Sequence, residues 1–258
     1  MSVANGQVSK AFPYTSFIPF YFNGLRISND ATTPDTKLNV AAGSCLDSTG
    51  TFQMVSSAAI VIDGSTTGLN ALDTGVLALS TVYAVYLVSD PVTQQLTGAM
   101  ISTSLTGPLM PFGYSAWALV GYIATDASVH FLKGYWSDDD SARRLFLFDD
   151  PQATAVTAGA ATAYAGVALT KFVPAVDNTL AVINTSFVPA AASRLLSMQG
   201  GLSTGTQIIV TGQVAAVVMT QQNNLLSQLV ATVPTVNYKV SNADSNVAVN
   251  VAGYYFDL

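Results

Sequence analysis

Glutamate is missing from these 258 residues: all 15 carboxylates are Asp, set against nine Lys and Arg together. Charged residues make up 9% of the chain, where about 25% is usual. That is too little charge to cover a monomer comfortably, so surplus apolar surface is expected to meet other protein. A single cysteine, Cys45, excludes an intrachain disulfide and a cysteine-rich zinc cluster. A single histidine, His130, excludes a His-rich metal centre built from one chain. With a net charge of −6 and no block of Lys or Arg, the sequence argues against a nucleic-acid partner. No apolar run approaches the ~18 residues of a spanning helix, because Ser, Thr, Asn, Gly or Asp interrupts each one. The repeated aromatic-girdled strands of a membrane barrel are not seen either, so no membrane insertion is expected. The opening "MSVANGQVSKAFPYTSF" has no basic stretch feeding an apolar core, and Pro13 and Pro19 break its hydrophobicity, so no secretion signal is expected.

What the chain does have is Thr, Ser, Val, Ala and Gly in short segments punctuated by turn residues, which favours strands over long helices. Residues 1–23 read as an extended arm, since the two prolines of "FPYTSFIPFYF" deny it a helix or an interior strand. Residues 24–137 read as a first antiparallel β-sandwich or jelly-roll-like domain. Within it, "TVYAVYLVS" is apolar on both alternating faces, which predicts a central strand covered on both sides. "GSTTGLNALDTGVLALS" breaks the pattern and predicts a loop excursion or a short helical turn. "SAWALVGYIAT" and "VHFLKGYW", separated by "DAS", predict a hairpin. Residues 138–151 form a charged junction, and 152–258 a second β-sandwich, richer in Ala, Thr and Val. There Val236, Tyr238 and Val240, then Val247, Val249 and Val251, alternate cleanly about the polar "NADSN", predicting a terminal hairpin.

The junction "SDDDSARRLFLFDDP" gathers Asp138, Asp139, Asp140, Asp149 and Asp150 with Arg143 and Arg144. Paired carboxylates can cleave glycans, but one of them must then sit in an apolar groove that raises its pKa. Three consecutive aspartates in a polar turn are expected to be ionised and hydrated instead. Asp oxygens also suit calcium, yet D-D-D-S-A-R-R departs from the D-x-D-x-D-G loop, and the two arginines can neutralise the same carboxylates. The favoured reading is a salt-bridged structural turn, with "RLFLF" as a short apolar strand between two acidic turns.

His130 has no G-x-S-x-G elbow to work with and reads as a packed or surface strand residue. Cys45, in "AAGSCLDSTG", reads as a small buried hydrophobe rather than a reactive thiol. Asn29, Asp30, Pro34 and Asp35 in "SNDATTPDTKLNV" are turn chemistry first and a ligand loop second. Trp117, Trp136 and exposed tyrosines could stack on sugar rings, but aromatics inside strands usually belong to the core. No catalytic, cofactor-binding or metal-ligating residue is assigned from these patterns.

The stretches "NGLRISNDATTPDTKLNVAAGSCLDSTGTFQM", "TGLNALDTGVLALSTVYAVYLVSD" and "MPFGYSAWALVGYIATD" resemble a family of tailed-bacteriophage virion proteins over most of residues 20–137. The "GYYFDL" ending is similar to the closing hairpin of such proteins. Cys45 departs from the small or polar residue expected at its place. The resemblance implies a non-enzymatic structural component of a virion, tail- or fibre-associated, with head decoration of the capsid as the alternative. It carries no catalytic residues. Expected partners are copies of the same chain, a trimer being the common arrangement, and other virion proteins, with a host surface glycan as a further candidate. A carbohydrate-binding or glycan-cleaving module is the remaining alternative.

Overall fold

The computed structural model describes residues 22–257 apart from 93–96, 141–142, 202–207, 227 and 231. The arm read at residues 1–23 therefore lies outside the described residues, except for Phe22 and Asn23, which begin the first strand. Every regular element among the described residues is a strand, and "GSTTGLNALDTGVLALS" holds strand ends and loop with no helical turn. The protein is all-β and sandwich-like, as its composition indicates.

In chain order the first half supplies β1 (Phe22–Gly24), β2 (Ile27–Asn29), β3 (Lys37–Val40), β4 (Gly43–Leu46) and β5 (Gln53–Ser56). It continues through β6 (Ile60–Thr67), β7 (Ala71–Leu72), β8 (Val82–Ser89), β9 (Gly98–Ser102) and β10 (Ala116–Ala124). The second half supplies β11 (Gly134–Asp140), β12 (Arg143–Ala153), β13 (Ala165–Ala168), β14 (Leu180–Val188) and β15 (Leu195–Gly200). It ends with β16 (Ile208–Thr211), β17 (Met219–Leu226), β18 (Gln228–Val230), β19 (Val233–Val240) and β20 (Asn246–Asp257).

Four sheets result. A small one runs β1-β4-β5, and a large one runs β10-β8-β9-β7-β6-β3-β2. The third runs β11-β12-β20-β14-β17, and the fourth runs β13-β19-β15-β16 with β18 beside β19. Pairing is antiparallel except that the short β7 joins both β6 and β9 in parallel, which makes the large sheet mixed. As its two apolar faces predict, β8 lies between β10 and β9, with Tyr83 through Ser89 all buried.

Two expected hairpins are not hairpins. The turn at "DAS" does form: Asp126 Oδ1 accepts the N–H of Ser128 at 2.7 Å and of His130 at 2.8 Å. Beyond it the strands meet only in the bridge Thr125↔Phe131, because the chain from Gly134 onward pairs with β12 instead. The "NADSN" turn likewise joins strands of different sheets, β19 pairing with β13, β15 and β18, and β20 with β12 and β14. Period-two alternation shows that each strand has one buried face, but it does not choose the partner. Here Val236 and Val240 of β19 and Val247, Val249 and Val251 of β20 all enter one core, from two layers rather than one.

That core is continuous from Leu25 to Phe256 and includes residues of both halves. Its densest part is aromatic. Phe146 lies 5.0 Å from Trp136, 5.1 Å from Phe148 and 5.6 Å from Tyr254, ring centre to ring centre. Phe256 meets Tyr122 edge to face at 5.0 Å. These edge and tilted geometries are the ones aromatic quadrupoles favour.

The outer edge of β10 would be a long apolar template for a stray strand. Donors from elsewhere occupy it instead. Tyr254 Oη donates to Tyr122 O at 2.9 Å, Arg144 Nη1 to Val120 O at 3.0 Å, and the Ser48 N–H to Trp117 O at 2.7 Å.

Candidate functional site

The charged stretch is a strand pair. Within β11 and β12, Asp138 pairs with Arg144 and Asp140 with Arg143 along the backbone, across a register irregularity between Asp138 and Asp140. At the far end of β12 the register with β20 shifts between Leu147 and Gln152, and Asp149 and Asp150 stand exposed on that bulge beside Pro151. A proline with no ladder donor to lose is at home there.

The two arginines take opposite faces of β12, as neighbouring strand residues must. Arg143 turns outward, its Nε donating to Asp257 Oδ1 at 2.7 Å. Arg144 turns inward and is 2% exposed. Its guanidinium donates to the carbonyls of Leu25 and Val120, each at 3.0 Å, and of Gly24, and lies 4.0 Å over the ring of Phe22. Gly24 and Leu25 have φ of 69° and 55°, a left-handed pair costly for leucine. Their carbonyls both meet the guanidinium. Arg144 thus ties β1, β10 and β12 together, and sequence reasoning, which paired it with the neighbouring aspartates, missed that role. The available signal was its in-phase position with Phe146 and Phe148.

The remaining candidates are dispersed. Cys45 is 1% exposed on β4, and burial pushes its thiol up to about 12 although the Arg144 guanidinium pulls the other way. A thiol so seldom ionised is a poor nucleophile. A maleimide is expected to leave Cys45 unmodified in the folded chain and to label it fully in denaturant, and rapid native labelling would contradict its burial. His130 is exposed, its Nδ1 lying 3.6 Å from Asp126 Oδ2, beyond hydrogen-bond length. Trp136 is buried against Phe146 and Phe256, and Trp117 packs edge to face on Tyr86 at 5.3 Å. Trp136 belongs to the core, and Trp117 is partly buried and packed against it.

"SNDATTPDT" is a side-chain-closed turn. Asp30 Oδ1 accepts the N–H of Thr32 and of Thr33, each at 2.9 Å, and Asn29 Nδ2 donates to Pro34 O at 3.0 Å. Asp35 meets Lys133 Nζ at 3.3 Å. Hydrogen bonds from the Thr33 and Thr32 N–H groups and from Asn39 lower the Asp30 carboxyl from 3.8 to about 2. A carboxyl depressed in the folded state stabilises above its unfolded value, and that contribution is lost as pH falls from 3.8 through about 2. A carboxyl-detected NMR titration is expected to give Asp30 a midpoint near 2 in the native chain, and Asp30→Asn should remove its share of the acid sensitivity. A midpoint near 4 would show that the turn is not closed in this way. Asp47 is lowered too: partial burial pushes it up, but the N–H of Phe52, the Thr49 hydroxyl and the N–H of Thr51 outweigh that.

One surface stands apart from these. The third sheet buries Phe146, Phe148, Tyr254 and Phe256, while the alternate residues of the same strands face away from the core. On that outer face Leu145 lies opposite Tyr255, which lies opposite Leu180, and Tyr135, Leu147, Gly253 and Val182 form the next row. With Gln222, Asn223 and Asn224 of β17, several of these residues line a shallow groove of about 430 Å³. The sequence signal was "RLFLF", apolar on both alternating faces.

Fold and surface together define an all-β chain whose third sheet carries a largely half-buried apolar outer face. Among the described residues, no three His, Cys, Asp or Glu side chains gather to hold a metal ion. No family model matches the chain, and no curated protein sequence does. Two solved structures are similar to it in outline. One, titled as the structure of infectious bursal disease virus Gx strain, is 12% identical at a TM-score of 0.22, covering 90% of this chain and 70% of its own. The other, an Arthrobacter globiformis T6 isomalto-dextranase complexed with panose, is 11% identical at 0.21, covering 89% of this chain and 36% of its own. At such scores neither likeness carries a functional argument.

Proposed function

We propose that this chain is a non-enzymatic structural component of a bacteriophage virion, associated with the tail or a fibre and working in assembly or attachment. The observation that carries this reading is its surface. Phe112, Val92, Val76, Leu109 and Leu79 are all more than 60% exposed in a chain with 9% charged residues. Exposed apolar side chains with so few charges among them suit a subunit that packs against other protein. The resemblance of residues 20–137 to virion proteins supplies the setting. Cys45 is buried, His130 is exposed beside Asp126, and both tryptophans pack in or against the core. Head decoration of the capsid uses the same rigid β scaffold and stays the alternative location.

The test is to purify particles from a host carrying the gene, identify the chain by mass spectrometry, and locate it by electron cryo-microscopy. Stoichiometric recovery with density at the tail supports the reading. Density on the head moves it to decoration, and absence from purified particles overturns it.

A further inference from the structure

We propose that β17 is a pairing edge, along which the β17 of a second copy of this chain lies antiparallel across a two-fold axis and joins the two third sheets into one. β17 ends the order β11-β12-β20-β14-β17, so β14 flanks it on one side and no strand of the sheet on the other. Its eight residues, Met219–Leu226, pair with β14 in unbroken register. In an antiparallel ladder every second residue turns its N–H and C=O away from that neighbour. Among the described residues, no backbone group outside β14 pairs with this strand. Thr220, Gln222 and Asn224 stand exposed along it. Val214, Val217 and Val218, which lead into it, are 58%, 50% and 58% exposed.

Proteins ordinarily block a long free edge, and this chain blocks its others. β1, β2, β5, β13 and β16 have only three or four residues each, and β11 carries Asp138, Asp139 and Asp140. β10 is occupied by Tyr254, Arg144 and the Ser48 N–H. β17 has none of these devices: it holds no proline, no bulge and no charge, and the sequence has no charged residue from 195 to 238.

The occupant follows from the sequence of the edge. Directly opposed residues of an antiparallel pair share a face, so a two-fold axis must pass through a residue position rather than between two. With the axis at Gln222, the strand reads alike in both directions. Gln222 lies opposite Gln222, Gln221 opposite Asn223, Thr220 opposite Asn224, Met219 opposite Leu225, and Val218 opposite Leu226. Amide faces amide or hydroxyl, apolar faces apolar, and no like charges meet. Each contact is made twice, as a symmetric pair requires. Five strands from each copy make one sheet at the upper end of ordinary size. The chain's own "FPYTSFIPFYF" suits the place poorly, because Pro13 and Pro19 have no N–H to give a ladder. The unit so formed is a dimer, where the virion resemblance implies a trimer.

This inference deepens the reading of the chain as an assembly component, and the two fail separately. A dimer absent from purified particles would sink the virion reading alone, whereas a monomer found in particles would sink this one alone. Light scattering on the full chain is expected to give at least twice the 26.8 kDa of one chain. Thr220→Lys, Gln222→Lys and Asn224→Lys together set like charges opposite one another across the axis. All three side chains are exposed, so the far-UV spectrum should hold while the mass falls at least twofold, to a single chain. The same three positions changed to Glu should also give a single chain, and an equimolar mixture of the two variants should regain the higher mass. If either triple variant does not fold, Gln222→Cys decides the matter, since buried Cys45 leaves the new thiol as the reactive one. A short bismaleimide should join two chains through position 222 and none through the exposed-turn control Ser128→Cys. Four outcomes overturn the proposal: a monomeric wild type, an oligomer indifferent to the lysines, folded Lys and Glu variants that do not recombine, or no linkage at 222.

Discussion

Replacing Arg144 by Met is expected to destabilise the protein by about 3–5 kcal/mol, since it removes charged hydrogen bonds and leaves buried carbonyls without their donor. For a chain of this size that corresponds to roughly 10 °C in Tm. The carbonyls at stake belong to Gly24, Leu25 and Val120, on two elements of the first half, while the donor sits on β12 of the second. Arg144→Lys keeps the charge but not the planar fork, and a compact ammonium cannot reach several carbonyls at once. It is expected to cost at least as much as Met, because it buries a charge with fewer partners. Urea unfolding of both variants measures this directly. A loss under 1 kcal/mol for Met, or a Lys variant near wild type, would show that the guanidinium is not a tie between the halves.

Phe146→Ala is the second large effect, expected at about 3–5 kcal/mol from lost burial and the cavity left behind. Phe146 is 1% exposed and its ring touches three other aromatic rings, so neighbouring side chains cannot easily collapse into the space. Phe146→Leu fills most of the volume and should lose far less. Since Arg144 and Phe146 share one face of β12 two residues apart, the double variant should lose less than the sum of the singles. Equal losses for Ala and Leu would mean that ring packing does not set the cost.

Individual strands were legible in the sequence, and their partners were not. The two apolar faces of "TVYAVYLVS" placed β8 at the centre of a sheet because only cover on both sides explains them. Alternation in β19 and β20 was equally clear, yet a short polar turn served an arch between layers rather than a hairpin. Both topologies bury the same valines, so periodicity could not separate them. The charged stretch shows the opposite weakness. Reading it by composition grouped Arg143 with Arg144, whereas strand alternation separates them onto the wet and dry faces of β12. The same alternation placed Leu145 and Leu147 on a face with no core behind it. That made the surface legible in "RLFLF", though its extent needed strands 30 to 110 residues further along the chain.

The place of β20 has a consequence for how the chain is made. In the third sheet it lies between β12 and β14, both of which precede it in sequence. Until β20 has been synthesised, those two strands have no ladder to share. Translation at about 5–20 residues per second puts roughly 5–20 s between β12 and β20. Over that interval their apolar edges depend on being shielded by something other than the native sheet. A nascent chain stopped before β20 would also lack the donor of Tyr254 for β10. Such a fragment is both unfinished and sticky, which makes completion of this one strand the step at which the polypeptide becomes safe to release among its own copies.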